Sequence, residues 1–234
     1  MGRGKLKQKR KSKLKRDKRK EQGKIVRFTL ANFPKKFKGL KDKYAYQSNM
    51  HNLVFKDASL ENVNYRSSII TNCNFRNAKL IGVDFIGVNL KNTNFQNAIF
   101  ENVIFFNVNL KGTDFKNATF KNVTFISTNL KKAKNLIVDT ENIKILNQYP
   151  NINLKPYLKD ALLNLSNCSQ IYKYHTLHVN KTKLNMWFIS LLLSDYSQSD
   201  LSRGFKALEK RKNKRGFYTN YSIKKFLDSY LKRI

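Results

Sequence analysis

Carboxylates are scarce in this sequence: 15 Asp and Glu stand against 47 Lys and Arg, a formal net charge of +32 over 234 residues. A paired-carboxylate cleft or an oxygen-rich cation cage has little to be built from. The other chemistry-bearing residues are also few, with three histidines (His51, His175, His178) and two cysteines (Cys73, Cys168). His175 and His178 lack the further spaced ligands of a zinc site, so they read as core or surface residues and no metal is expected. Two cysteines exclude a disulfide framework and suit a reducing cytoplasm. The longest apolar run, residues 186–189 followed by 191–193, is too short to span a bilayer, and no hydrophobic stretch follows the basic start as in a secretory signal. With no Gly-rich phosphate loop or nucleophile elbow, no catalytic residue and no cofactor is expected.

What is abundant is positive charge, and it is spread along the whole chain. Residues 1–43 carry 19 basic against 3 acidic residues, residues 44–135 carry 11 against 5, and residues 136–234 carry 17 against 7. Such a field favours a polyanionic partner, nucleic acid before an anionic membrane surface. Residues 1–24 form a basic flexible arm carrying Arg3, Lys5, Lys7, Lys9, Arg10, Lys11, Lys13, Lys15, Arg16, Lys18, Arg19 and Lys20. With only Leu6 and Leu14 as apolar residues between positions 3 and 20, it cannot fold alone. It reads as an arm that orders against phosphates, with Lys favouring point-charge contacts over bidentate base reading.

From Phe55 to Leu130 every fifth residue is large and apolar, sixteen positions without a slip. Two positions before most of these sits a small or β-branched residue, such as Ala78, Val83 or Thr93. Three positions before stands Asn, Gly, Asp or Ser in all sixteen cases. A period of five fits neither a helix nor a strand alternation. It fits a short extended piece followed by a corner, the turn-forming residue making the corner. Grouping by twenty sorts the inward residues into columns, one wholly aromatic (Tyr65, Phe85, Phe105, Phe125) and one wholly aliphatic (Ile70, Leu90, Leu110, Leu130).

The triplets Val83-Asp84-Phe85, Val108-Asn109-Leu110 and Thr113-Asp114-Phe115 resemble the motif of pentapeptide-repeat proteins. That resemblance implies a mainly β solenoid, a right-handed quadrilateral β-helix with twenty residues per coil, spanning 52–136 in about four coils. It also implies a binding surface in place of an active site. Residues 25–51, where Val26, Phe28 and Leu30 alternate with polar residues before Pro34, read as an N-terminal cap. Residues 137–156 read as a closing cap or linker. From 157 on, apolar spacing turns helical, predicting three or four helices in a small module over 157–234.

The residue after each inward one should face outward. This gives one basic ladder of Lys56, Arg76 and Lys116 (with Gln96) and a second of Lys91, Lys111 and Lys131 (with Thr71). A mixed face carries Glu61, Ile81, Glu101 and Lys121. The fourth is an apolar stripe of Ile86, Phe106 and Ile126, extended by Ile104, and such a patch marks either a seat for the C-terminal helices or a partner or dimer contact. A further basic cluster, Lys210, Arg211, Lys212, Lys214 and Arg215, precedes Phe217, Tyr218 and Tyr221, which are either base-stacking platforms or helix core.

The leading expectation is a cytoplasmic, non-enzymatic nucleic-acid-binding protein, RNA favoured over DNA and associated with RNA or a ribosomal particle, as monomer or dimer. Two alternatives stand beside it. One, implied by the resemblance, is a topoisomerase-interacting, antimicrobial-protection protein that mimics DNA through an acidic surface and shields the enzyme from quinolones or peptide toxins. The other is a scaffold docking partners through the apolar stripe.

Overall fold

A computed structural model describes residues 36–232, together with Lys11, Leu14 and Lys18. The expected strand at Val26 to Leu30 lies outside the described residues.

The five-residue rule becomes geometry at the corners. All sixteen turn-forming positions, from Asn52 through Gly82, Gly87 and Gly112 to Ser127, have positive φ between 45° and 70°. Asn and Gly tolerate this left-handed conformation, whereas a β-branched residue resists it. Four such corners per twenty residues return the chain to its starting point one layer on.

Between the corners lie ten strands: β1 (Gly39–Tyr44), β2 (Asn49–His51), β3 (Ser59–Asn64), β4 (Ile69–Thr71), β5 (Lys79–Ile86), β6 (Ile99–Glu101), β7 (Ile104–Phe106), β8 (Thr119–Lys121), β9 (Val123–Ile126) and β10 (Ile143–Leu146). All pair in parallel with a shift of twenty residues, as in Leu40 with Leu60, Leu60 with Leu80 and Leu80 with Phe100. The product is a parallel β-solenoid of about five turns, where the sequence predicted about four.

The extra length comes from both ends. Phe37 stacks on Phe55 at 4.8 Å, so residues 36–51 form a coil of the solenoid where a cap was expected. At the other end Ile143 pairs with Val123, continuing the stack inside the expected closing segment. The strict period hides this because Leu130–Lys132 forms a 3₁₀ turn, and Asn135 takes a left-handed corner where an apolar residue was due. Leu136 packs against the core in its place.

Inside, the aromatic columns stack rung on rung. Ring centroids are 4.4 Å apart for Phe55–Phe75, 5.0 Å for Phe75–Phe95 and 5.5 Å for Phe95–Phe115. Buried hydroxyls at the small positions are satisfied by the coil above, as where Thr93 Oγ1 donates to the Ile70 carbonyl at 2.7 Å.

After the solenoid come five helices: α1 (Pro156–Leu165), α2 (Ser169–Tyr172), α3 (Met186–Leu193), α4 (Gln198–Lys210) and α5 (Asn220–Leu231). Leu162, Leu165, Leu201, Phe205, Ile223 and Leu227 give them a core of their own. The module lies along one side of the solenoid. Trp187, Phe188 and Leu191 of α3 cover Ile86, Ile104 and Ile126, with Phe106 packed beside them. The stripe is therefore an intramolecular seat, and docking of a partner through Ile86, Ile104, Phe106 and Ile126 is overturned. Covering them removes apolar surface from water, which a free face would leave exposed.

Candidate nucleic-acid interface

Both basic ladders are exposed, and the backbone stacks them. Asp57, Asn77 and Asn97 N–H groups donate to the carbonyls of Arg76, Gln96 and Lys116, and those of Asn72 and Asn92 donate to Lys91 and Lys111. Each link joins one rung to the next, at a layer spacing of about 4.8 Å. A side-chain bond fixes each rung locally: Asn74, Asn89, Asn109 and Asp114 each accept from the amide two residues on, that of Arg76, Lys91, Lys111 and Lys116. Successive pentapeptides occupy successive sides, so the two ladders lie on adjoining sides of the coil. Neither is covered by the helical module.

Lys131 departs from its ladder. The 3₁₀ turn tightens the chain by one residue, and Gly112 donates to the Lys132 carbonyl where Lys131 was due. Lys131, Lys132 and Lys134 stay exposed at that end.

The few carboxylates do little to offset this. On the mixed side Glu61 meets Lys41 at 2.6 Å and Glu101 meets Lys121 at 4.0 Å. Asp114 accepts from Asn135 and Gln96 side chains; these bonds outweigh its partial burial and hold its carboxyl below the usual range. Asp84 is fully buried and takes no part in the surface.

The Lys210 to Arg215 cluster forms the link between α4 and α5. Lys210, Arg211, Lys212 and Arg215 are exposed, and Lys214 is half-buried with its amine on the Arg211 carbonyl. The aromatics that follow are not stacking platforms. Phe217 is core and meets Phe226 edge-on, Tyr218 packs edge-on against Tyr174 at 4.7 Å, and Tyr221 lies over Gly82. Their segment is sewn to the solenoid: Asn62 Nδ2 donates to the Gly216 carbonyl, Asn64 Nδ2 to that of Tyr218, and the Asn220 amide to Asp84. Sequence reasoning missed this seam. Its signals were Gly82 interrupting a column of Asn62, Asn102 and Asn122, and Asp84 following Asn64 in the column beside it.

Of the predicted arm, Lys11 and Lys18 are exposed. Arg3, Lys5, Lys7, Lys9, Arg10, Lys13, Lys15, Arg16, Arg19 and Lys20 lie outside the described residues. Among the described residues no group of three or more His, Cys, Asp or Glu is placed to hold a metal, and no helix is long and apolar enough to cross a membrane. His178 is instead a buried structural residue, its Nε2 2.7 Å from the Leu162 carbonyl.

Residues 78–149 match the family model described as the pentapeptide repeat region. Among solved structures, a pentapeptide repeat protein from the cyanobacterium Cyanothece 51142 is 29% identical over 43% of this chain, with a TM-score of 0.35. The match spans 64% of that protein, under two thirds of its length. A pentapeptide repeat protein of the Arabidopsis thaliana thylakoid lumen is 17% identical over 49% of this chain and 74% of its own, with a TM-score of 0.33. QnrB1, a plasmid-mediated fluoroquinolone resistance protein, is 12% identical over 52% and 80%, with a TM-score of 0.22. No curated protein sequence matches the chain. The unbroken five-residue period and the left-handed corners agree with that family model, so residues 78–149 of the solenoid are a pentapeptide repeat region.

Proposed function

We propose that this chain is a non-enzymatic nucleic-acid-binding protein of the cytoplasm, taking RNA in preference to DNA, in free form or in a ribosomal particle. The observation that carries this reading is the pair of adjoining, uncovered ladders, Lys56, Arg76 and Lys116 beside Lys91 and Lys111. Like charges held at strand spacing repel one another, and a partner with closely spaced phosphates relieves that repulsion. The lysine excess favours backbone contact over base reading, which suits a folded RNA recognised by shape. Both cysteines are unpaired, in keeping with a reducing compartment.

Titration of structured RNA by the full chain over a range of salt tests the proposal. The logarithm of the affinity should fall linearly with that of the salt concentration, and Lys91→Gln with Lys111→Gln should flatten the slope by about two phosphate contacts. Binding that ignores salt would refute it. The topoisomerase alternative asks for an acidic surface. Glu61 and Glu101 are instead tied to lysines and Asp84 is buried, so it is disfavoured. A gyrase supercoiling assay separates the two, because an effect mediated by bound DNA is relieved by competitor DNA.

A further inference from the structure

Between α4 and α5 runs an open groove of about 620 Å³ whose two walls differ in chemistry. Arg203, Lys206 and Lys210 recur at three- and four-residue spacing along one face of α4, and Arg211 follows at its end. The opposite wall is Phe226 and Tyr230, one turn apart on α5, with ring centroids 6.0 Å apart and planes 14° from parallel. The Arg211 guanidinium stands 5.6 Å from the Phe226 ring, and its Nε donates to the Asn213 carbonyl at 2.7 Å. Among the described residues one carboxylate is ion-paired on the basic wall: Asp200 meets Arg203 at 3.1 Å, leaving Lys206, Lys210 and Arg211 to set the field.

Phosphate and base ask for different neighbours, and the groove supplies both at once. A cationic row tracks a phosphate backbone, while paired aromatic faces accept bases of any sequence. The solenoid ladders carry charge without aromatics, so they cannot make this distinction. We infer that the α4–α5 groove is a single-strand subsite, holding an unpaired stretch of nucleic acid with phosphates along Lys206, Lys210 and Arg211 and a base against Tyr230 and Phe226. This rests on the proposed nucleic-acid function and deepens it: the ladders hold folded or duplex segments, and the groove takes a strand that leaves them.

The test uses the full chain with two probes, a short oligouridylate and an RNA duplex of equal length, followed by fluorescence anisotropy at fixed salt. Tyr230→Ala should weaken oligouridylate binding about tenfold and leave duplex binding unchanged, as expected for a lost stacking contact. Lys206→Gln combined with Lys210→Gln should weaken the single strand more than the duplex. Phe226 also meets Phe217 in the module core, so Phe226→Leu, with Trp187 emission as a folding control, is the variant used at that position. Equal loss for both probes in Tyr230→Ala, or no loss for oligouridylate, would overturn the subsite. So would full displacement of oligouridylate by free uridine monophosphate, since the site would then take nucleotides and not strands. If duplex binding remains salt-sensitive while the groove variants change nothing, the subsite fails alone; if neither probe binds, the parent function fails with it.

Discussion

Gly82 stands at a corner where the neighbouring coils place Asn62 and Asn102, and it needs to be glycine because a helix residue packs on it, a reason Gly87 does not share. Its φ of +59° is one that Asn adopts throughout this solenoid, but a Cβ there would lie 2.1 Å from Tyr221 Cδ1. Gly87, at φ +60°, has nothing within 4 Å. Gly82→Asn should therefore unseat α5 while Gly87→Asn is tolerated. Trp187, the only tryptophan, is buried at the same interface and reports the difference as red-shifted emission at lower denaturant. Asp84, two residues on in β5, is driven up to about 8 by burial, against the opposing pull of the Asn220 amide. Its folded value exceeds the unfolded 3.8, so the proton stabilises docking below about pH 4, and that support is lost as pH rises towards 8. The Trp187 unfolding midpoint should fall across this window, with a slope of up to about 1.4 kcal/mol per pH unit, and Asp84→Asn should remove the slope. Neither residue was legible as a contact in the sequence. Gly82 satisfies the corner rule and Asp84 satisfies the repeat motif, so local consistency concealed long-range roles.

Among the elements, the repeat was legible because each corner, small residue and large residue is set locally and then copied every twenty residues. The terminal coils were not. Phe37 enters its column 18 residues before Phe55 rather than 20, and the 3₁₀ turn at Leu130–Lys132 displaces the register locally before β10 resumes it. Such irregularities are characteristic of solenoid ends, where the neighbour is no longer another identical repeat. The apolar stripe was legible as a surface needing cover, but not its cover, because α3 is apolar nearly all round and shows no one-sided pattern to match it. Element packing at this seat is separable from the solenoid itself. Ile126 is fully buried yet lies outside the central aromatic columns, facing the Trp187, Phe188 and Leu191 side of α3. Ile126→Ala should cost docking about 2–5 kcal/mol, seen as an earlier Trp187 transition in denaturant, with the far-ultraviolet signal of the solenoid lost later.

For the molecule as a whole, the same charges that are proposed to bind work against the fold. A chain of formal charge +32 repels itself, and the ladders concentrate the repulsion by holding Lys91 above Lys111, and Arg76 one layer beyond Lys56, at the spacing of a sheet. Each directly stacked pair costs roughly 0.2–1 kcal/mol, less as salt screens it. The mixed side shows the other solution, with Lys41 and Lys121 each set beside a glutamate. Stability and binding should therefore respond oppositely to one change. Lys91→Gln with Lys111→Gln should raise the melting temperature by a few degrees at low salt. The same pair should weaken RNA binding and lose its stabilising effect in high salt, where the wild type gains what the variant already has. A chain in which the substitutions lower stability at low salt would mean that the lysines are paired or packed, and the case for a phosphate partner would lose its physical basis.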